Sequence, residues 1–237
     1  MRREQKLIYP DVGYSRLGKL LADDDLARIL VWLQAREDEG KSIDPGYEAE
    51  FEPRQLGSQL RLRKLRRLLW NDRSFWEPIL KHTSIIEAGK DFVQSNACII
   101  FHAAFMKPSF VGTPIAFHQD QALWRHQYPK AVSIWIALSP VTTRNGCLQV
   151  FPGSHDRGLI PHTTCSEYPW HPSIESQELE LSTLEQLEFE PGEAVIWHRY
   201  LVHGSGPNLS ATDRRGFVVV FADPNANGFS ATDTYLV

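Results

Sequence analysis

Three residues of the 237-residue sequence have the types and spacing to hold a metal ion. In PIAFHQD (114–120), His118 and Asp120 stand two apart, so on an extended chain one imidazole and one carboxylate project to the same face. The pair is weak alone and needs a third ligand. The run EAVIWHRYLVH (193–203) supplies one, a strand-like segment ending at His203 before Gly204, Ser205, Gly206 and Pro207 turn the chain. In a rolled sheet, His203 can meet the first pair. Two imidazoles and a carboxylate on one face of an octahedral ion suit Fe(II) and leave three positions for a cosubstrate and O2. Arg214, eleven residues beyond His203, adds a guanidinium fork able to pair with the far carboxylate of a chelating 2-oxo acid. A structural or hydrolytic zinc site uses similar ligands, but Arg214 and the surrounding turns favour iron.

The other histidines read as structural. His155 follows a Pro-Gly-Ser turn, and His198 is five residues from His203, an odd offset that on a strand faces the opposite way. His102, His126, His162 and His171 have no motif around them. Phe117, Trp124 and Tyr128 lie near the His118–Asp120 pair and are candidate walls of a substrate pocket, with ordinary core packing as the alternative.

These residues need a scaffold. Leu26, Ile29, Leu30 and Leu33 recur at helical spacing behind Asp23, Asp24 and Asp25, which predicts a helix over 22–38. A Pro- and Gly-containing loop over 41–53 leads to a second predicted helix through Leu62, Leu65 and Leu69. Its opposite face would carry Arg61, Arg63, Lys64, Arg66 and Arg67, read as a solvated face. From about residue 92 the texture is short β-rich runs broken by Pro, Gly and Asn, as in a sandwich or barrel. Val132, Ile134, Ile136 and Leu138 alternate with Ser133, Trp135 and Ala137, and 217–221 is a continuous apolar run suited to a buried strand. The segments 142–146 and 152–154 read as turns. An insertion over 155–190, with helical periodicity returning only in its acidic stretch from 175, lies over one end of the barrel.

Composition narrows the class further. With 25 Lys and Arg against 29 Asp and Glu, the net charge of −4 disfavours a general nucleic-acid binder, and 42% apolar residues suffice for a core. No apolar run is long enough to span a membrane, and the start MRREQKLIYPDVGY has no signal-like core. Cys98, Cys147 and Cys165 form no CxxC pair, which fits a reducing, cytoplasmic setting. One domain over 1–237 is expected: a helical buttress over 1–90, a β core over 91–222 and a tail over 223–237.

The segments PIAFHQD, VSIWIALSPVTTRNGCLQVFPGSH and FEPGEAVIWHRYLVHGSGPN, with Arg214, resemble the phytanoyl-CoA dioxygenase family of Fe(II)/2-oxoglutarate oxygenases over roughly residues 90–222. Upstream, Asp-Val-Gly-Tyr, Arg-Lys-Leu, Ser-Phe-Trp and Met-Lys-Pro agree more loosely. The resemblance implies a mainly β fold with flanking helices, a double-stranded β-helix or cupin-like jelly roll. By position, His118, Asp120 and His203 match the family's iron ligands and Arg214 its cosubstrate anchor. Ser205, Trp135 and, through a thinner alignment, Lys64 match residues that reach the cosubstrate. It further implies that 2-oxoglutarate and O2 are consumed to give succinate, CO2 and an oxidised small molecule. Hydroxylation is the leading outcome, with desaturation, cyclisation or epimerisation as alternatives. Related halogenases replace the carboxylate by Ala or Gly, so Asp120 argues for oxygenation. The rival of another class is a cupin-like binding module without turnover, and a nucleic-acid demethylase is disfavoured by the net charge.

Overall fold

The computed structural model describes residues 9–53, 60–93, 97–124, 127–128, 130–164, 171–224 and 235–236. His126, Cys165, Pro169 and most of the tail lie outside the described residues. In chain order the elements are β1 (Tyr14–Lys19), α1 (Asp23–Glu39), β2 (Glu50–Phe51), β3 (Leu62–Arg66), α2 (Leu68–Asn71), α3 (Arg73–Leu80), α4 (Thr83–Val93), β4 (Cys98–Lys107) and β5 (Ile115–His118). There follow α5 (Asp120–Leu123), β6 (Val132–Ala137), β7 (Leu148–Val150), β8 (Glu185–Leu187), β9 (Glu193–His198), β10 (His203–Ser205), β11 (Arg214–Ala222) and β12 (Tyr235–Leu236).

The strands form two antiparallel sheets, the jelly roll expected from the sequence. The larger runs β1-β9-β6-β11-β4-β3-β2, with β12 beside β4, and the smaller runs β5-β10-β7-β8. Both faces of the larger sheet are covered, which explains the continuous apolar run in β11. Ile134, Ile136, Ala194, Ile196, Phe217, Val219 and Phe221 pack outward in one cluster with Leu26, Ile29 and Leu33 of α1, Trp76 of α3 and Ile85 of α4. Trp135, Val195, Trp197, Val218 and Val220 face inward with Leu148 and Val150 of the smaller sheet. The period-two alternation thus sorts each strand between a helix-backed core and the barrel interior. Helix α1 begins within one residue of expectation, its three first-turn aspartates complementing the helix dipole.

Three readings need correction. The second predicted helix is a strand over Leu62–Arg66, ended by Arg67 at φ 54 and followed by the single turn α2. Its apolar spacing mimicked a helix because β3 is bulged: Glu50 pairs with Lys64 and Phe51 with Leu62, leaving Arg63 over. Leu62 and Leu65 therefore reach the outer core three residues apart, while Arg63 and Lys64 both face the interior cavity. Residues 1–90 are not purely helical, since β1 pairs with β9 and β3 with β4. The acidic stretch from 175 forms two 3-10 turns, Ser176–Glu178 and Leu181–Thr183, and then strand β8.

Candidate active site

The two sheets enclose a cavity of about 810 Å³. His118, Asp120 and His203 lie at its wall, each offering one donor atom, all within 4.8 Å of one another. The fold brings them together through a direct cross-strand pair: His118, the last residue of β5, sits opposite His203, the first of β10. Gln119 stays extended (φ −114, ψ 134), so Asp120 returns to the same side as the first residue of α5. The Asp120 Oδ1 is 3.8 Å from His118 Nε2 and 3.6 Å from His203 Nε2.

Each ligand is oriented from behind. The Nδ1 of His118 lies 2.8 Å from the Ala116 carbonyl and that of His203 2.9 Å from the Leu201 carbonyl. Donation to those carbonyls places the proton on Nδ1 and leaves the Nε2 lone pair toward the cavity. Burial, and then the neighbouring His203 ring, hold His118 well below the ordinary imidazole range, so it stays neutral. Asp120 Oδ2 accepts from Ser133 Oγ at 2.5 Å and from Trp197 Nε1 at 2.8 Å, which turns Oδ1 to the cavity.

The residue between the ligands is an anchor that the sequence reading passed over. Gln119 is fully buried; its amide donates to the Gly158 and Tyr200 carbonyls at 2.8 and 2.6 Å and its Oε1 accepts from Ile160 N–H at 2.8 Å. Its own N–H donates to His162 Nε2 at 3.0 Å, giving His162 a structural role. Ser133 and Trp197 were also missed; their place on the same strand face as Trp135 and Val195 was the available signal.

Deeper in the cavity, Arg214 is 3% exposed. Its Nη2 donates to the Gly146 carbonyl at 2.6 Å, its Cζ lies 5.1 Å over the Trp135 ring, and its Nε has no partner among the described residues. Burial lowers its pKa to about 10, and no carboxylate pairs with it among the described residues. Gly216 is required beside it, because a Cβ there would strike the Trp135 indole. Ser205 lines the same cavity with a buried Oγ that lacks a partner among the described residues. Lys64 also lines it, from a strand rather than a helix, with Nζ 4.9 Å from the Phe105 ring centre. Burial lowers its pKa to about 8 against the opposing pull of Glu50.

Trp124 lines the cavity. Phe117 does not: one residue before His118, it faces away and packs edge-on against Phe151 in a separate apolar cluster. Tyr128 stands behind Trp124, ring centres 5.7 Å apart, and its carbonyl accepts from Arg199. His171, which had no motif to mark it, lines the cavity and meets His118 edge-on with ring centres 4.4 Å apart. His155 and His198 meet edge-on, with ring centres 5.3 Å apart.

The residues fit the groups that the sequence suggested. Three donors converge with lone pairs free, a buried guanidinium lacks its anion, and a buried hydroxyl lacks its partner. A jelly roll holding such a set defines a metal-dependent oxygenase of the 2-oxoglutarate type. The profile of the phytanoyl-CoA dioxygenase (PhyH) family matches residues 9–216. The chain belongs to this family, and thereby to the Fe(II)- and 2-oxoglutarate-dependent dioxygenases. A probable alpha-ketoglutarate-dependent hypophosphite dioxygenase from Stutzerimonas stutzeri is 24% identical over 238 residues, covering 95% of this chain and 80% of that protein. Phytanoyl-CoA dioxygenase 1 from Oryza sativa subsp. japonica is 34% identical over 110 residues, 46% of this chain but only 39% of that longer protein. Among solved structures, EvdO2 from Micromonospora carbonacea var. aurantiaca complexed with 2-oxoglutarate superposes with a TM-score of 0.72 at 18% identity, covering 96% and 95% of the two chains.

Proposed function

We propose that the protein hydroxylates an unactivated C–H bond of a small organic molecule, consuming 2-oxoglutarate and O2 and releasing succinate and CO2. In this reading His118, Asp120 and His203 hold Fe(II), and Arg214 receives the distal carboxylate of 2-oxoglutarate. The observation that carries it is the joint presence, in one cavity, of a three-donor cluster and a buried arginine without a carboxylate. Bound Fe(II) supplies the site for O2 and for the 2-oxo acid's chelating end, where decarboxylation drives oxidation. One oxygen atom goes to succinate and the other to the substrate, so the reaction needs no further reductant.

The chain's own residues fix geometry and exclude water. Ser133 and Trp197 hold the Asp120 carboxylate in one orientation. Ser205 offers its hydroxyl and Lys64 its ammonium to the cosubstrate, while Trp135 lies beneath the Arg214 guanidinium and keeps that end dry. The apolar wall around Phe101, Phe105 and Trp124 receives the second substrate.

Two free, buried cysteines, Cys98 and Cys147, support a cytoplasmic setting. No helix among the described residues is long and apolar enough to cross a membrane. The test of the reaction is succinate formed from 2-oxoglutarate by the Fe(II)-loaded protein without added substrate. Slow uncoupled turnover is expected from the wild type and none above free iron from Asp120→Ala. Equal rates for the two would refute an oxygenase and favour a binding module.

A further inference from the structure

The basic run 61–67, which a solvated helix face was expected to explain, lies instead along a strand at the cavity. Most of its charges are satisfied. Arg61 pairs with Asp213 at 2.9 Å, Arg66 with Glu50 at 3.1 Å and Glu48 at 3.3 Å, Arg67 with Glu48 at 3.4 Å, and Lys64 with Glu50 at 3.9 Å. Arg63 is the exception: it has no ion pair or hydrogen bond among the described residues, though it is only partly exposed and lines the cavity. Glu48 and Glu50 already serve three cations, so this edge of the cavity is positive even before Arg63 is counted.

The bulge gives that charge its direction. A regular strand would send Arg63 to the face opposite Lys64, among the outer core. With Arg63 as the extra residue, two successive cations face the cavity instead. Its charge acts on Lys64, on Lys107 behind Arg214 and on His171 beside His118. An unpaired guanidinium, partly removed from water, is costly unless a ligand completes it.

Under the proposed function, Fe(II), Asp120, 2-oxoglutarate and Arg214 together carry no net charge. The cation at Arg63 is therefore left for the second substrate. We infer that this substrate is an anion with an apolar body, and that Arg63 binds its anionic group, a carboxylate or an equivalent oxyanion, at the cavity edge. Phe51, Phe101, Phe105, Leu123 and Trp124 supply the apolar wall for the rest. A volume of about 810 Å³ leaves room for both molecules. The two anion sites are distinct, with Arg214 taking the cosubstrate and Arg63 the molecule to be oxidised.

This inference rests on the proposed function, and the test separates the two. The anaerobic Fe(II)/2-oxoglutarate holoenzyme is titrated with matched acids and amides, namely 4-phenylbutanoate, hexanoate and 3-cyclohexylpropanoate with their primary amides. Binding is read by quenching of tryptophan fluorescence, since Trp124, Trp135 and Trp197 line the cavity. At least one acid should bind about tenfold or more tightly than its amide. Arg63→Gln should bring that ratio close to one, and Arg63→Lys should retain part of the preference. No acid outbinding its amide, or a preference unchanged in Arg63→Gln, overturns the inference. So does a defect in Arg63→Gln confined to 2-oxoglutarate binding. Failure of the wild-type protein to form the Fe(II)/2-oxoglutarate charge-transfer band would instead strike at the proposed function itself.

Discussion

Arg214 and Arg215 are neighbours on one strand and have opposite fates. Arg215 faces outward, where its guanidinium pairs with Glu37 of α1 at 2.8 Å and bonds Gln34 at 3.0 Å. Arg214 faces inward, is more deeply buried and, among the described residues, has only the Gly146 carbonyl as a hydrogen-bond partner. The same division runs through the sheet. Ile134, Ile196, Phe217 and Val219 weld it to the helices, while Ser133, Trp135 and Trp197, on the alternate positions, face the cavity. The strands therefore keep stability on one face and chemistry on the other. On the cavity face, Ser205 Oγ and Arg214 Nε are buried without a partner among the described residues and are free to meet a ligand.

Substitutions on either face can break that separation. The largest stability effect is expected from Phe217→Ala in the outer core, where a fully buried ring packs on Trp76. It should cost about 3–5 kcal/mol in chemical denaturation, with turnover per folded molecule retained. Arg214→Gln should raise the 2-oxoglutarate requirement about 10- to 100-fold by steady-state assay. Arg215→Gln should leave that requirement unchanged; a matching loss there would erase the contrast. Trp197→Phe keeps an aromatic ring but removes the indole donor to Asp120, so Fe(II) affinity per folded molecule, by competition titration, should fall about tenfold, separately from the stability lost to the smaller ring.

The smallest effect concerns pH. Burial lowers the Lys64 pKa to about 8, so its ammonium is present below that pH and lost above it. If the ammonium assists the cosubstrate, 2-oxoglutarate affinity should weaken a few-fold as pH rises through about 8, and Lys64→Gln should flatten that dependence.

The three donors that converge at the cavity wall were legible because their geometry is local. Two residues across an extended Gln119, and a strand ending before Gly204, are spacings that survive into the fold. The same parity rule that set His198 aside would have excluded Phe117, one residue from His118. What the sequence could not display was pairing. The bulge opposite Phe51 converts Leu62 and Leu65 into a three-residue apolar repeat that imitates a helix, and only the partner strand reveals it. Gln119, Ser133 and Trp197 escaped notice for a related reason: their partners lie 13 to 81 residues away along the chain. His171 reaches the cavity from the far side of a long insertion, and no spacing within the chain predicts that approach.

We propose that this cavity binds Fe(II) through His118, Asp120 and His203, with 2-oxoglutarate chelated beside it and held at its far end by Arg214. Anaerobic addition of Fe(II) to the protein with 2-oxoglutarate tests it most directly, read as the weak visible metal-to-ligand charge-transfer absorption. The band should rise to saturation at one iron per chain, be lost when His118→Ala and His203→Ala are combined, and need more 2-oxoglutarate in Arg214→Gln. Fully iron-loaded wild-type protein that shows no such band, or an undiminished band in the double histidine variant, would contradict this binding mode.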